Sequence, residues 1–342
     1  MGMMQQGIIK PFAIVHWAGK DVTAELSPYV KSLSYTDIME SQQTGTDTIA
    51  LTLFNKDRRF FDAWYPNKGD ILKAGIGWFD SNNQRHEWMW GEFAIDEVTF
   101  KLSPDDVIIG ANAKPPVEER GKIDNQQSVV RENLSLSNVG EQWAKDAGLT
   151  FMQAENTPEF QFNRIEQRDE SVPAFLARVS EQTSVPIAIK GNKLLMGNFE
   201  QNVLTIDTTN RSVVTSLQLP DSERTKYVAV EVEGYDPTND KVFSYRAGDA
   251  SATGSRVKRL HNIDNVNSIA DARAYAESYL NNGSDGKQGA KGRIGLVGTV
   301  ITTADVIEFS GLGKLHHRWK PTAITTTISC QQWIASAQLS RA

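Results

Sequence analysis

The sequence predicts an α+β chain, mainly β, in which two β-barrels flank a smaller α/β region. Three observations carry this expectation. Period-two alternation of apolar and polar residues fills the first third of the chain and returns from Arg293 to Arg341. Capped helix signals are confined to the stretch between these regions. The two β-rich regions also repeat one order of features.

In Asp47 to Phe54, Ile49, Leu51 and Leu53 fall on one face and Thr48, Ala50 and Thr52 on the other, as in a half-buried strand. Pro66-Asn67-Lys68-Gly69 is a turn into Asp70 to Phe79. Trp88 to Leu102 is a further β-rich stretch, broken at Gly91, and Ser103-Pro104-Asp105-Asp106 turns the chain into Val107 to Ala113. Strands this closely spaced predict a barrel or a sandwich over residues 1–112.

Composition changes after Pro115-Pro116. Ser137 is placed to cap a helix over Asn138 to Ala147, stopped by Gly148. A second helix starts at Ser171, with Pro173 in its first turn and Val172, Phe175, Leu176 and Val179 as its apolar stripe. Ile187 to Ile189, a Gly191-Asn192 turn and Lys193 to Met196 predict a hairpin. In Tyr227 to Gly234, Val228, Val230 and Val232 alternate with Ala229, Glu231 and Glu233, a strand assigned here to the second barrel. A third helix spans Ile269 to Leu280, with Ser268 and Asp271 as a capping box and Asn281-Asn282-Gly283 as its stop. The expected division is therefore 1–112, then 113–200 with about 235–289 as a peripheral α/β region, then 201–234 with about 290–342 as the second barrel.

The internal echo runs as follows. Asp70-Ile71-Leu72 and Gly75-Ile76-Gly77 precede a strand with Ala94-Ile95 and Val98, and Asp305-Val306-Ile307 and Gly311-Leu312-Gly313 precede one with Ala323-Ile324 and Thr327. Duplication of one barrel explains this order, although turn glycines beside alternating strands recur in any β protein.

Composition removes several function classes. A chain of 342 residues with 36 basic and 42 acidic side chains, net charge −6, is poorly suited to neutralising phosphates as a dedicated nucleic-acid binder. The longest apolar run, Ile294 to Ile301, is interrupted by glycine and too short to span a bilayer. Met1 to Phe12 lacks a signal-peptide layout, and Gln6 spoils a myristoylation motif, so folding in a cytoplasm is expected. Cys330 is alone, which excludes an internal disulfide and a cysteine zinc cluster.

The histidines and acids are the side chains most able to carry chemistry. His16, His86, His261, His316 and His317 show no metal-ligand spacing, and no Gly-x-Ser-x-Gly elbow is present. Gly283-Ser284-Asp285-Gly286-Lys287-Gln288 is too short between its glycines for a phosphate loop and ends in glutamine. Asp96-Glu97, Asp105-Asp106 and Asp169-Glu170 raise a glycosidase reading, but neighbours on a strand point to opposite faces and acids are structurally useful at turns and helix starts. Trp88 and Trp90 share a strand face, which suits either a sugar-binding platform or a barrel core. No catalytic, metal or cofactor residues are assigned.

Several ordered stretches resemble a known family. They are Asp47-Thr-Ile-Ala-Leu-Thr-Leu; Tyr65-Pro66 with Lys68-Gly69-Asp70; Gly91-Glu-Phe-Ala-Ile-Asp-Glu-Val; Gln167 to Val172 with Phe175 to Arg178; Ile187 to Met196; and Ala272 to Leu280 followed by the last strands. In order and spacing the chain resembles the late control D family of phage tail hub proteins, related to the hub part of VgrG proteins. It departs at Ala304-Asp305, where the family often has Gly-Asp. The resemblance implies two tube-like antiparallel barrels per chain and a homotrimeric ring of six barrels. That ring would join a sixfold tail tube or tube-initiator protein to a threefold spike, beside baseplate wedge proteins, with DNA only as passing cargo and no membrane or cofactor. It places the protein in the virion baseplate, assembled in the host cytoplasm. Expected subunit-interface positions are Thr52, Phe54, Thr326 and Ile328, with Thr52 and Thr326 taken as outward. A partner-facing basic loop is expected from Lys287, Lys291, Arg293, Lys314 and Arg318, in a stretch from Leu280 to Lys320 that carries a local positive excess. The alternative is a tail-associated carbohydrate-binding or peptidoglycan-degrading protein.

Overall fold

The computed structural model describes residues 10–39, 47–113, 123, 125–199, 202–220, 227–236, 239–261, 263, 266–282, 291–313, 318–329 and 332–341. The first region contains β1 (Lys10–Trp17), β2 (Lys20–Asp21), a short α1 (Thr23–Leu26), β3 (Val30–Ile38), β4 (Thr48–Phe54), β5 (Ile71–Phe79), β6 (Arg85–Leu102) and β7 (Asp105–Asn112). On β4 the alternation reads out as expected: Ile49, Leu51 and Leu53 are buried and Thr48, Ala50, Thr52 and Phe54 are half-buried.

One expectation fails on β6, which runs unbroken through Gly91. Against β5 the register shifts, with Ala74 opposite Gly91 and Gly75 opposite Met89, so Trp90 is the extra residue of a bulge. Gly91 takes φ +120°, a conformation open to glycine, and absorbs the irregularity without ending the strand.

The middle of the chain supplies β8 (Gln127–Ser135), α2 (Leu136–Asp146), β9 (Thr150–Gln153), β10 (Gln161–Glu170), α3 (Val172–Thr183), β11 (Ile187–Lys190) and β12 (Lys193–Met196). The α2 cap is Ser135, whose hydroxyl accepts from the Asn138 amide at 3.2 Å; Ser137, the expected cap, lies in the first turn and bonds Glu159. Ser171 caps α3 as expected, accepting from the Ala174 amide, and Val172, Phe175, Leu176 and Val179 are all buried. Ser171→Ala should lower stability by about 1 kcal/mol, read as a shifted midpoint in denaturant.

Then follow β13 (Val203–Asp207), β14 (Val214–Gln218), β15 (Ala229–Asp236), β16 (Lys241–Gly248), β17 (Val257–Leu260), α4 (Ile269–Asn282), β18 (Lys291–Val297), β19 (Val306–Ser310), β20 (Arg318–Ser329) and β21 (Trp333–Arg341). The capping box of α4 is made: the Asp271 amide donates to Ser268 Oγ, and Asp271 Oδ2 accepts from that hydroxyl and from the Asn267 amide.

The protein is mainly β, and both ends of the chain feed one thirteen-stranded sheet, ordered β14-β18-β21-β20-β3-β4-β7-β6-β5-β1-β2, with β19 on β20 and β13 on β19. That sheet wraps two separate apolar cores. The first holds Leu33, Leu51, Ile76, Phe93 and Ile109, and the second Ile206, Leu296, Phe309, Trp319 and Leu339. β1 lies beside β20, which brings the first half round on itself. β20 serves both cores, with Ile324 in the second and Ile328 in the first. The pairing of β13 with β19 is parallel, a departure from the all-antiparallel expectation.

The echo falls on corresponding hairpins, β5–β6 and β19–β20, but Gly75 and Gly77 lie within β5 whereas Gly311 and Gly313 follow β19. Behind Ala304, Asp305 closes a turn by accepting from the Thr302 amide at 2.7 Å and its hydroxyl at 2.9 Å.

The strand assigned to the second barrel at Tyr227 to Gly234 is not in it. β15 pairs with β16 and β17 in a separate sheet, and Val230 and Val232 pack into a third core with Tyr275 and Ala276 of α4, Trp143 of α2 and Phe175 of α3. Alternation identifies a strand with one buried face and is silent about the sheet it joins; the available apolar surface of α4 captured it. β13 and β14 take the place given to β15.

Candidate assembly surface and the joint beside it

Thr52 and Phe54 lie half-buried on the outer face of β4. Lys31 Nζ sits 5.4 Å from the centre of the Phe54 ring while bonding Asp106 Oδ2 at 2.8 Å. The other two interface expectations are corrected. Thr326 has no exposed surface and Ile328 is 2% exposed, because Ile324, Thr326 and Ile328 share one parity on β20 and that face is the inner one. Neighbouring Thr325 and Thr327 take the other face, and Thr325 is exposed. Thr326 pairs in register with Tyr35 on β3 and Ala335 on β21, central in the sheet.

The basic group is likewise not a loop among its described members. Lys291 and Arg293 are exposed on β18, and Arg318 begins β20 with its charge met by Glu308 at 2.7 Å. Lys287 and Lys314 lie outside the described residues, as do His316, His317, Cys330 and the Gly283 to Gln288 stretch.

Trp88 and Trp90 lean on the first core, where Trp90 stacks on Tyr35 at 4.8 Å and Trp88 stands edge-on to Trp90. Sequence reading missed a different aromatic group. Phe100 stacks with both Phe61 and Tyr65, at 4.7 and 5.8 Å, and Phe61, Tyr65 and Leu102 are exposed. Beside it lies a cleft of about 240 Å³ lined by Trp17, Val22, Leu26, Trp64 and Tyr65. The Phe60-Phe61 pair and Tyr65-Pro66 were visible as an aromatic loop, but the stacking of Phe61 and Tyr65 on Phe100 of β6 depends on the fold.

The most concentrated polar chemistry lies where three parts of the chain meet. Lys190, at the end of β11, places its ammonium on Asp37 of β3 and, at 2.5 Å, on Asp47 Oδ1 just before β4. Asp47 also accepts from the Tyr35 hydroxyl at 2.9 Å and the Ile38 amide at 3.3 Å. Thr303, from the loop between β18 and β19, donates its amide and hydroxyl to Asp37, each at 2.9 Å. Asp37 and Asp47 are 5% and 7% exposed. Two buried carboxylates therefore share one ammonium. Burial raises the Asp47 carboxyl above the usual range, the Asp37 charge adds to this, and Lys190 opposes it. Burial chiefly, with Asp47 and Asp37 beside it, also raises the Tyr35 hydroxyl, which stays a donor.

Elsewhere the acids serve local structure: Asp96 accepts from the Asn112 amide group at 3.0 Å, and Glu97 from the Thr99 hydroxyl at 3.2 Å. His86 bonds Asp80 at 3.0 Å and stacks on Trp78, and His261 bonds Glu233 at 2.7 Å. Among the described residues no group of three or more His, Cys, Asp or Glu side chains is placed to hold a metal ion, and no helix is long and apolar enough to cross a membrane.

Solved structures supply the decisive likeness. The 43 kDa tail protein of prophage MuSo2 from Shewanella oneidensis superposes over 96% of this chain and 98% of its own, with a TM-score of 0.65 at 12% identity. The fold is that of a phage tail protein. A tail protein from Neisseria meningitidis MC58 gives the same TM-score, 0.65, over 97% of this chain. A chain of the Francisella PdpA–VgrG complex reaches 0.55 at 9% identity, with 98% of this chain on 53% of that one. In sequence, no protein-family model matches. The chain is similar to two curated phage proteins: it is 24% identical over 176 residues to a probable baseplate hub protein of Escherichia phage 186, and 24% identical over 184 residues to that of Escherichia phage P2. Those matches cover 52% and 54% of this chain but only 42% and 44% of the relatives, so it spans less than half their length. The match to hub proteins is consistent with the late control D resemblance.

Proposed function

We propose that the chain is the structural hub of a contractile-tail baseplate, a homotrimeric ring that joins a sixfold tail tube to a threefold spike around an open channel. The observation that carries this reading is one sheet enclosing two cores within one chain. Three copies of a chain with two such halves present six related docking surfaces, which is what a sixfold-to-threefold adaptor requires. The similarity to baseplate hub proteins supports the same reading. The protein acts by binding, in the virion tail after assembly in the host cytoplasm, with spike, tube or tube-initiator and wedge proteins as partners and DNA as passing cargo.

In the ring, the first half of one copy meets the second half of the next, a heterologous contact that closes after three copies. Thr52 and Phe54 on the outer face of β4 are the interface positions retained from the sequence. Mass photometry of the purified protein should show a species near three times 38.0 kDa, and Thr52→Glu should shift the population toward a folded monomer. A wild-type protein that stays monomeric at micromolar concentration even with its spike partner would sink the trimer. A Thr52→Glu trimer of unchanged stability would move the interface off β4.

A further inference from the structure

Among the described residues, the three large apolar cores do not cross between the barrel sheet and the outer unit built from β8 to β12, β15 to β17 and α2 to α4. The side-chain hydrogen bonds seen to cross run through Lys190. Bodies joined by chain connections and a polar contact, without a shared apolar core, move relative to one another by default. What Lys190 meets on the barrel side therefore governs how firmly the outer unit is seated.

We propose that Lys190, Asp37, Asp47 and Thr303 form a proton-sensitive latch that holds the outer unit against the barrel sheet and loosens as pH rises. Its charges do not balance: two carboxylates buried from water face one ammonium, whose side chain is itself 17% exposed. The groups facing Asp47 are Lys190 from β11, Asp37 and the Tyr35 hydroxyl from β3, and the Ile38 amide. Tyr35 and the amide act only as donors, and Lys190 is shared with Asp37. With both carboxylates ionised, the closed joint holds one uncompensated negative charge in a dry place; one proton removes it.

The sign follows from linkage. Asp47 in the closed joint holds its proton more tightly than an Asp in water, so closing takes up a proton. The stabilisation is present at low pH and is lost as pH rises through the raised value. Opening returns Asp47 to water, where it ionises freely. Lowered pH thus seats the outer unit and raised pH releases it, the reverse of a simple surface ion pair, which acid would break.

Hydrogen exchange on the full chain, expressed as protection factors corrected for intrinsic rates, reads the latch at the Ile38 and Thr303 amides, which bond Asp47 and Asp37. In the wild type their protection should fall several-fold between about pH 5 and about pH 8, while the amides of Leu51 and Ile109 deep in the first core do not change. Asp47→Asn, which deletes the excess charge but keeps an acceptor, should show the same protection at both pH values. Asp37→Asn removes the same excess and substitutes if the first variant does not fold. Protection independent of pH in the wild type, or full pH dependence retained in the variant, overturns the latch.

Discussion

Thr326→Glu should unfold the protein, whereas Thr325→Glu, one residue away, should leave it folded. Thr326 has no exposed surface, and its β20 is paired on both sides, to β3 and β21. A carboxylate there is shut away from solvent, and the effective penalty for an unpaired buried ion is several kcal/mol. That is comparable with the whole stability of a typical domain, about 5–15 kcal/mol. Because β20 lines both cores, the damage reaches both halves of the sheet. Thr325 points to the other face and is exposed, so its glutamate should move stability by no more than about 0.5 kcal/mol. The Thr326 hydroxyl has no hydrogen-bond partner among the described residues. Thr326→Val, which deletes that unsatisfied group at nearly constant volume, should be neutral or stabilising. Near-ultraviolet circular dichroism during urea unfolding reports all three variants, since Trp78, Trp88, Trp90 and Trp333 cluster in the first core. A Thr326→Glu protein with a wild-type midpoint would show that the β20 register assigned here is wrong.

The contrast between these positions also explains what was legible. Ile49, Leu51 and Leu53 could be placed because their partners alternate with polar residues on the same short strand. The inward parity of Thr326 was equally present, through Ile324 and Ile328, but a threonine in a polar run draws the eye outward and parity has to outweigh composition. Ser171 and Ser268 announced their helices because capping is satisfied within four residues. The partner of β15 was not legible, because Val230 and Val232 specify a buried face and the matching surface on α4 lies some forty residues on, along a face the helix itself does not advertise. Still less legible was the Lys190 joint. Its partners are 153 and 143 residues away in sequence, and a lysine closing an Ile-Ala-Ile run reads as an ordinary solvated strand end.

Lys190→Met should cost more than any exposed substitution, and its cost should grow with pH. The change keeps most of the apolar stem and removes the one cation that, among the described residues, bonds two carboxylates that are 5% and 7% exposed. Removing one partner of a buried ion pair typically costs about 3–5 kcal/mol, because the charge left behind has neither water nor counterion. Partial exposure of Lys190 places the expected loss toward the lower end of that range. The loss is not constant, because Asp47 can neutralise itself by taking up a proton. Without the ammonium, the influence that opposed the upward displacement of Asp47 is gone, so its folded-state value lies further above the unfolded one. A group raised in this direction contributes stability below its unfolded value and loses it as pH rises through the folded one. The deficit should therefore be smaller at acid pH and larger at alkaline pH. Adding Asp47→Asn should restore much of the deficit at the higher pH by removing one of the two facing charges, so that the double variant is more stable than Lys190→Met alone. The pair is then non-additive, as expected for side chains in one network. Urea unfolding of wild type, both single variants and the double variant at the two pH values completes the cycle. Equal stability of Lys190→Met and wild type at the higher pH would mean that the ammonium does not compensate these carboxylates; additive losses would mean that Asp47 and Lys190 do not act on each other.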